Sequence, residues 1–465
     1  MTDEKLNTDQ KALQINLDAR KYGTFAEIGA GQETARWFFR VGGAAGTVAK
    51  TMSAYDMTVS DAIYGPAERY VSRQRLQAML DHEWKLLLDR LDQKRGDKST
   101  FFVFANTVAT RHYKSPEPGH GWLGVRFQTQ PHEPSSAIII HVRLLDQEPI
   151  RAHEALGIVG VNLIYGAFYQ HGGPTKLIGS LLDGLEGGRI EVDMIKFSGP
   201  RFAGLDNRLM TLQLVQQWLT EAALFTADGE TVVPGELLYK KPVLVERGSF
   251  RPLTNPMLDM LERAHAQFVK DPALGGETPV TLVEMTLRQL QVGNAIDHRD
   301  FLDRVDTLSA LGWPVLISNF LRYHRLVIYL SRHTHKPIGL PLGIVRLRDV
   351  LDERFYTDLP GGLLESLGQL FKNGAKLYVY PSLDRQTGSL VTVENFEVAP
   401  GLRHLYAHLV ENRFIENIRD YNSEYLSVYS GNVLEKIKAG DATWEKHVPP
   451  PIASVIKDKK LFGCR

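Results

Sequence analysis

Apolar positions along the chain change their spacing several times, and each change predicts an element. From Thr24 to Phe39 the residues Phe25, Ile28, Ala35, Phe38 and Phe39 fall at helical intervals, with an interruption at Gly29-Ala-Gly31. Leu76, Met79, Leu80, Leu87, Leu88 and Leu91 form one stripe of a helix predicted over 67–91. The pattern then becomes strand-like. Phe101 to Ala109 is apolar and aromatic, Trp122 to Gln128 alternates, and Ala137 to Leu145 is rich in isoleucine. Short proline-bearing loops between them imply antiparallel pairing. A helix follows over Ile150 to Tyr169, buried despite its three glycines.

Beyond Gly188 the rhythm alternates. Strands are predicted at 189–197, 222–226, 242–246, 314–318, 338–342 and 376–380. Helices are predicted at 206–219, 256–269, 299–311, 323–332, 345–351 and 363–371. The segment 280–287 fits either type. Alternation of this kind argues for a mainly parallel α/β layer, and short irregular strands favour an open sheet over a barrel. Helices at 402–412 and 423–438 precede Val448-Pro-Pro-Pro-Ile452, which reads as an extended segment able to reach a neighbouring subunit. The expected fold is therefore α/β: a mainly parallel sheet with flanking helices, an N-terminal α+β part with an antiparallel sheet, and a helical C-terminal tail. The expected domains are a loose N-terminus over 1–12, an α+β domain over 13–185, an α/β domain over 186–398 and the tail over 399–465.

Composition narrows the class. In 465 residues, Lys+Arg and Asp+Glu each total 54, so the formal net charge is zero. That balance argues against a nucleic-acid partner. No apolar run approaches the ~20 residues needed to cross a bilayer, so no membrane partner is expected. The one cysteine, Cys464, excludes an intrachain disulfide and a cysteine metal cluster. Together with a polar N-terminus, this predicts a cytoplasmic protein.

Candidate chemistry is sparse. The run Arg40-Val-Gly-Gly-Ala-Ala-Gly-Thr-Val-Ala-Lys50 places Gly43, Gly46 and Lys50 where backbone amides and an ammonium could cradle a phosphate. The lysine stands too far from Gly46 for a Walker A loop, and a tight turn is the competing reading. Glu246-Arg-Gly-Ser-Phe-Arg-Pro252 follows a predicted strand, and Arg247, Ser249 and Arg251 offer donors to an anion there. The alternative is a loop with Arg251 held by a carboxylate. Glu191 and Asp193 alternate on a strand, so both face one side, where they could transfer protons or hold magnesium. A solvated strand face is the plain alternative. Gly119-His120-Gly121-Trp122 and the pair His141 and Arg143 are further candidates, more plainly read as structural. His298-Arg-Asp300 lacks the downstream asparagine of a kinase, and no Gly-x-Ser-x-Gly or Gly-x-Gly-x-x-Gly element is present in its required setting.

The segments 22–33 (YGTFAEIGAGQE), 40–50 (RVGGAAGTVAK) and 359–365 (LPGGLLE) resemble an uncharacterised bacterial family of similar length. Its members carry the labels nicotinate-nucleotide adenylyltransferase and TonB-dependent receptor. The resemblance implies a bacterial cytosolic origin and supplies no catalytic residues. Neither label suits the sequence: a receptor barrel needs a signal peptide and many alternating strands, and an adenylyltransferase needs His-x-Gly-His after its first strand. The leading functional expectation is an enzyme or ligand-binding protein acting on a phosphorylated or nucleotide-like small molecule. The alternative is a non-catalytic assembly protein that forms a homo-oligomer, so the expected partner is a small-molecule anion or a second copy of the chain.

Overall fold

The computed structural model describes residues 5–111, 117–293, 295–384 and 386–464. The chain divides into two compact units between Thr220 and Glu221.

The first unit opens with helix α1 (Thr8–Leu17). Residues 8–12 are therefore not loose: Asn7 and Gln10 cap the helix reciprocally, and Ala12 and Ile15 are fully buried. Strand β1 (Lys21–Ile28) follows, so the helix predicted from Thr24 begins only at α2 (Glu33–Arg40). The chain continues through β2 (Val48–Met52), α3 (Met57–Tyr64), α4 (Arg73–Arg95), β3 (Thr100–Ala109), β4 (Gly119–Phe127), β5 (Ser136–Leu144), α5 (Pro149–Tyr169), α6 (Pro174–Ser180), β6 (Ile190–Ser198) and α7 (Asn207–Gln216). The sheet order is β2-β1-β3-β4-β5-β6. β1 runs parallel to β2 and β3, and β3 to β6 are antiparallel throughout.

Alternation sorts the side chains. Leu123, Val125 and Phe127 of β4 join Ile138, Ile140 and Val142 of β5 in one core with α1, α2 and α5. Each such fully buried side chain contributes roughly 1.5–3 kcal/mol. Gly157 and Gly160 let α5 approach α2 closely, since a Cβ at Gly160 would lie 2.2 Å from Thr34 Oγ1. α4 covers part of the opposite sheet face, where Leu76 and Leu80 pack over Gly124. β6, expected to open a second domain at 186, instead completes this sheet.

The second unit contains β7 (Ala222–Phe225), β8 (Thr231–Val232), α8 (Pro234–Leu238), β9 (Val243–Arg247), α9 (Asn255–Phe268), β10 (Val280–Thr286), α10 (Leu287–Leu290), β11 (Gln291–Val292), β12 (Ala295–Ile296), α11 (His298–Ser309), β13 (Val315–Ser318) and α12 (Tyr323–Leu330). Then come β14 (Ile338–Gly343), α13 (Ile344–Val350), α14 (Gly362–Leu370), β15 (Lys376–Tyr380), β16 (Ser382–Leu383), β17 (Leu390–Val391), α15 (Arg403–Glu411), β18 (Ile415–Asn417), α16 (Ser430–Ala439) and α17 (Pro450–Lys459). β11 with β12 and β16 with β17 form small hairpins.

The main sheet is open, in the order β18-β15-β14-β9-β10-β13-β7-β8. Its six strands from β18 to β13 are parallel, and β7 and β8 add an antiparallel edge. The fold is thus α/β, as the alternating pattern predicts. The chain builds outward from β9 through β10 to β13, then returns to the other side of β9 and proceeds through β14 and β15 to β18. That reversal places a topological switch point between β9 and β14. Residues 399–465 are no separate tail, because β18 extends the sheet. The proline run is not an extended arm either: Pro450 opens α17, whose Ile452 and Ile456 are fully buried. Proline suits the first helical turn, where its missing N–H needs no partner.

Candidate functional site

The densest set of chemical groups in the first unit lies on the sheet face opposite the main core. His120 and Trp122 of β4, and His141 and Arg143 of β5, point there because their neighbours in sequence fill the core. On β6 the alternation slips. Ile190 and Val192 face the core, and so do Ile195 and Phe197, which leaves one extra residue between them. The strand pairing shows the same irregularity: Val142 opposes Val192 while His141 opposes Met194. The bulge falls just after Asp193, which faces the histidine side in phase with Glu191, and it returns Ile195 to the core.

A chain of hydrogen bonds results. Asp193 Oδ1 lies 2.6 Å from His141 Nδ1, and His141 Nε2 lies 3.1 Å from His120 Nδ1. Asp193 and His141 are almost fully buried, while His120 is half-buried. A carboxylate oxygen accepts, so Nδ1 of His141 donates, and in the neutral ring its Nε2 then accepts from Nδ1–H of His120. That tautomer leaves a lone pair on Nε2 of His120, which makes no hydrogen bond among the described residues. Burial, with the adjoining His141 ring, pushes the His120 pKa down to about 4. The imidazole is therefore uncharged at neutral pH. Trp122 packs against His141 with ring centres 4.9 Å apart and limits its movement. Flanking glycines fit this strand tightly: a Cβ at Gly119 would lie 2.7 Å from the Ala109 carbonyl oxygen, and one at Gly121 would lie 2.8 Å from Val108 Cγ2.

Glu191 and Asp193 do share a face, as their alternation predicts, but they take different partners. Glu191 accepts from Arg143 Nη1 at 2.8 Å and from Thr220 Oγ1 at 2.5 Å. Among the described residues no three His, Cys, Asp or Glu side chains converge as a metal ion requires. The magnesium expectation thus finds no ligand set at Glu191 and Asp193 in those residues.

The glycine run turns the chain from α2 into β2. Gly43 has φ +77°, Gly46 donates to the Gly43 carbonyl, and Asn16 holds the Gly42 carbonyl at 2.7 Å. This turn follows the C-terminus of α2, the negative end of the helix dipole, which is the wrong sign for an anion. Lys50 lies on β2 and pairs with the buried Glu83 at 2.5 Å, alongside Tyr64, so it does not curl over Gly43 and Gly46.

In the second unit the loop after β9 sits at the switch point. Its arginines are engaged internally. Arg247 forms a two-pronged pair with Glu284 at 2.7 and 2.9 Å and lies over the Tyr323 ring. Arg251 donates to Asp300 at 2.5 Å, and Arg304 grips the other oxygen of the same carboxylate. Arg304 also donates to the Ser249 carbonyl. The carboxylate-held loop is therefore the arrangement observed. Glu191 and Asp193 belong to the other unit.

No family model matches the chain, and no curated protein matches it. Solved structures give partial likenesses. The competence/damage inducible protein CihA from Agrobacterium tumefaciens is 16% identical, covers 35% of this chain and 97% of its own, and has a TM-score of 0.27. A competence-damaged protein (CinA) superfamily protein from Enterobacter cloacae is 12% identical over 36% of this chain and 95% of its own, with a TM-score of 0.25. A third, from Klebsiella pneumoniae 700603, is 15% identical over 34% of this chain and 96% of its own, with a TM-score of 0.26. At scores this low they assign no residue a role.

Proposed function

We propose that this protein is an enzyme that performs general acid–base chemistry on a phosphorylated or nucleotide-like small molecule, with His120 as the proton carrier. The observation that carries this reading is the line Asp193–His141–His120, ending on a half-buried imidazole nitrogen. Nε2 of His120 takes a proton from water or a substrate hydroxyl. His141 accepts the Nδ1–H of the imidazolium so formed, and Asp193 fixes the His141 tautomer. With a pKa of about 4, the imidazolium returns its proton readily to a leaving group, while the neutral ring is a weak base at neutral pH. Separately from the histidines, the second unit has a sheet of the kind that takes nucleotide-like ligands. Counted from β9, its parallel strands lie in the order 3-2-1-4-5-6, an arrangement that binds nucleotides beyond the strand C-termini in doubly wound sheets.

The assembly alternative loses one of its supports, since the proline-rich segment is a packed helix start. Turnover of ATP, NAD and p-nitrophenyl phosphate tests the proposal. The wild type should turn over at least one of them, and His120→Gln should slow that reaction by roughly 10²–10⁴-fold. Equal rates in the two proteins, or no turnover of any of the three, would contradict it.

A further inference from the structure

The second unit contains a cavity of about 450 Å³ bounded by α9, β15, β18 and the loops beside them. Its charged lining is Arg263, Lys270, Lys376, Arg413 and Arg419 against Asp271, Glu416 and Asp420. Two of these acids are occupied, and the exposed Asp420 forms no ion pair among the described residues. Asp271 holds Lys376 at 2.5 Å, and Glu416 takes Lys376 at 3.7 Å, Arg413 at 3.3 Å and Gln267 at 3.3 Å. Lys376 keeps the Asp271 carboxyl below its ordinary pKa despite burial, so it stays ionised and paired. Asp259, outside the lining, holds Arg263 through Nε alone, at 3.1 Å. Lys270 and Arg419 form no ion pair among the described residues. The cationic excess is thus concentrated on those two side chains and on the outward nitrogens of Arg263 and Arg413.

A second observation points the same way. Tyr378 lines the cavity and is only 1% exposed, yet its hydroxyl has no hydrogen-bond partner among the described residues. Burial and the nearby Asp271 and Glu416 push its pKa upward, so the phenol remains a donor. With no internal partner among those residues, the hydroxyl is free to donate to a ligand oxygen. Cations at the rim and a hydroxyl donor at the floor match the tetrahedral oxygens of a phosphate. The cavity is much larger than one phosphate, and Ala266, Pro272 and the Tyr378 ring give it apolar wall.

We infer that this cavity binds a small phosphomonoester, a phosphate carried on a polar body the size of a sugar. The site is independent of the histidine relay and lies in the other unit. Titration calorimetry with ribose 5-phosphate, inorganic phosphate and ribose tests it on the full chain. Ribose 5-phosphate should bind, inorganic phosphate should bind more weakly, and ribose should not bind. Arg419→Ala and Lys270→Ala should each weaken ribose 5-phosphate by about tenfold or more. Tyr378→Phe should weaken it several-fold, and its melting temperature should not fall, because the lost hydroxyl has no internal partner. No binding of ribose 5-phosphate, or unchanged affinity in the Arg419→Ala, Lys270→Ala double variant, would overturn the inference. Equal affinity for inorganic phosphate and ribose 5-phosphate would overturn the assignment of a phosphomonoester.

Discussion

Asp193 of β6 and His141 of β5 are joined by a 2.6 Å bond at the level where β6 carries one residue more than β5. The bond orients a buried imidazole that acts only through its contact with His120, so Asp193 is a positioning residue. Asp193→Asn keeps the shape and removes the charge that fixes the tautomer. The expected result is a kcat reduced by roughly 10²–10⁴-fold with KM little changed. A variant that loses KM and kcat together, or that merely melts earlier, would mark the bond as structural only.

The His120 pKa gives a pH dependence with a definite sign. Catalysis needs the neutral ring, so kcat/KM should be level near neutrality and fall as pH drops through about 4. Stability follows the same group. The unfolded histidine binds its proton near the ordinary value of 6.5, the folded one only near 4, so acid favours the unfolded chain. The stabilisation present above pH 6.5 is lost as pH falls toward 4. Denaturant unfolding across that window should show a decline that is shallower in His120→Gln.

Much of this arrangement is legible in the chain, and some is not, for physical reasons. The strands from Phe101 to Leu145 and the alternation after Gly188 stand out because each has one face or both faces in a core. β1 does not: Phe25 and Ile28 satisfy a helical spacing as well as a strand, and only pairing on both sides selects the strand. The boundary at 186 misplaces β6 because a strand carries no mark of the sheet it will join. Ile190 and Val192 followed by Ile195 and Phe197 shift phase by one residue. That shift is the sequence trace of the bulge, and with His141 it marks the relay. The arginines after β9 are visible as donors, whereas their acceptors Glu284 and Asp300 lie 37 and 49 residues away in the chain. Strand order and long-range pairing decided their roles.

The Arg247–Glu284 pair is a buried support of the second unit. Ser318 Oγ also donates to Glu284, at 2.5 Å, and Tyr323 stacks under the guanidinium. Glu284→Ala leaves Arg247 charged and without its carboxylate. The expected loss is about 3–5 kcal/mol in denaturant unfolding. A loss below about 1 kcal/mol would mean that water replaces the carboxylate.

The C-terminal segment should be required for stability of the second unit. Ile452 and Ile456 of α17 are fully buried, Leu461 and Phe462 nearly so, and the Phe462 N–H donates to Asp303 at 2.7 Å. Truncation after Pro449 removes all four apolar side chains. At roughly 1.5–3 kcal/mol each, it should lower unfolding free energy by at least about 5 kcal/mol, or prevent folding of this unit. An unchanged melting curve would contradict the packing described.

The most direct test of the account reads the protons on the two histidines. Nitrogen-15 NMR of the labelled protein at pH 7 distinguishes imidazolium from each neutral tautomer. His120 and His141 should each carry their single proton on Nδ1, with Nε2 bare. A proton on Nε2 of His120 at that pH would leave no base there, and would contradict the proposed role.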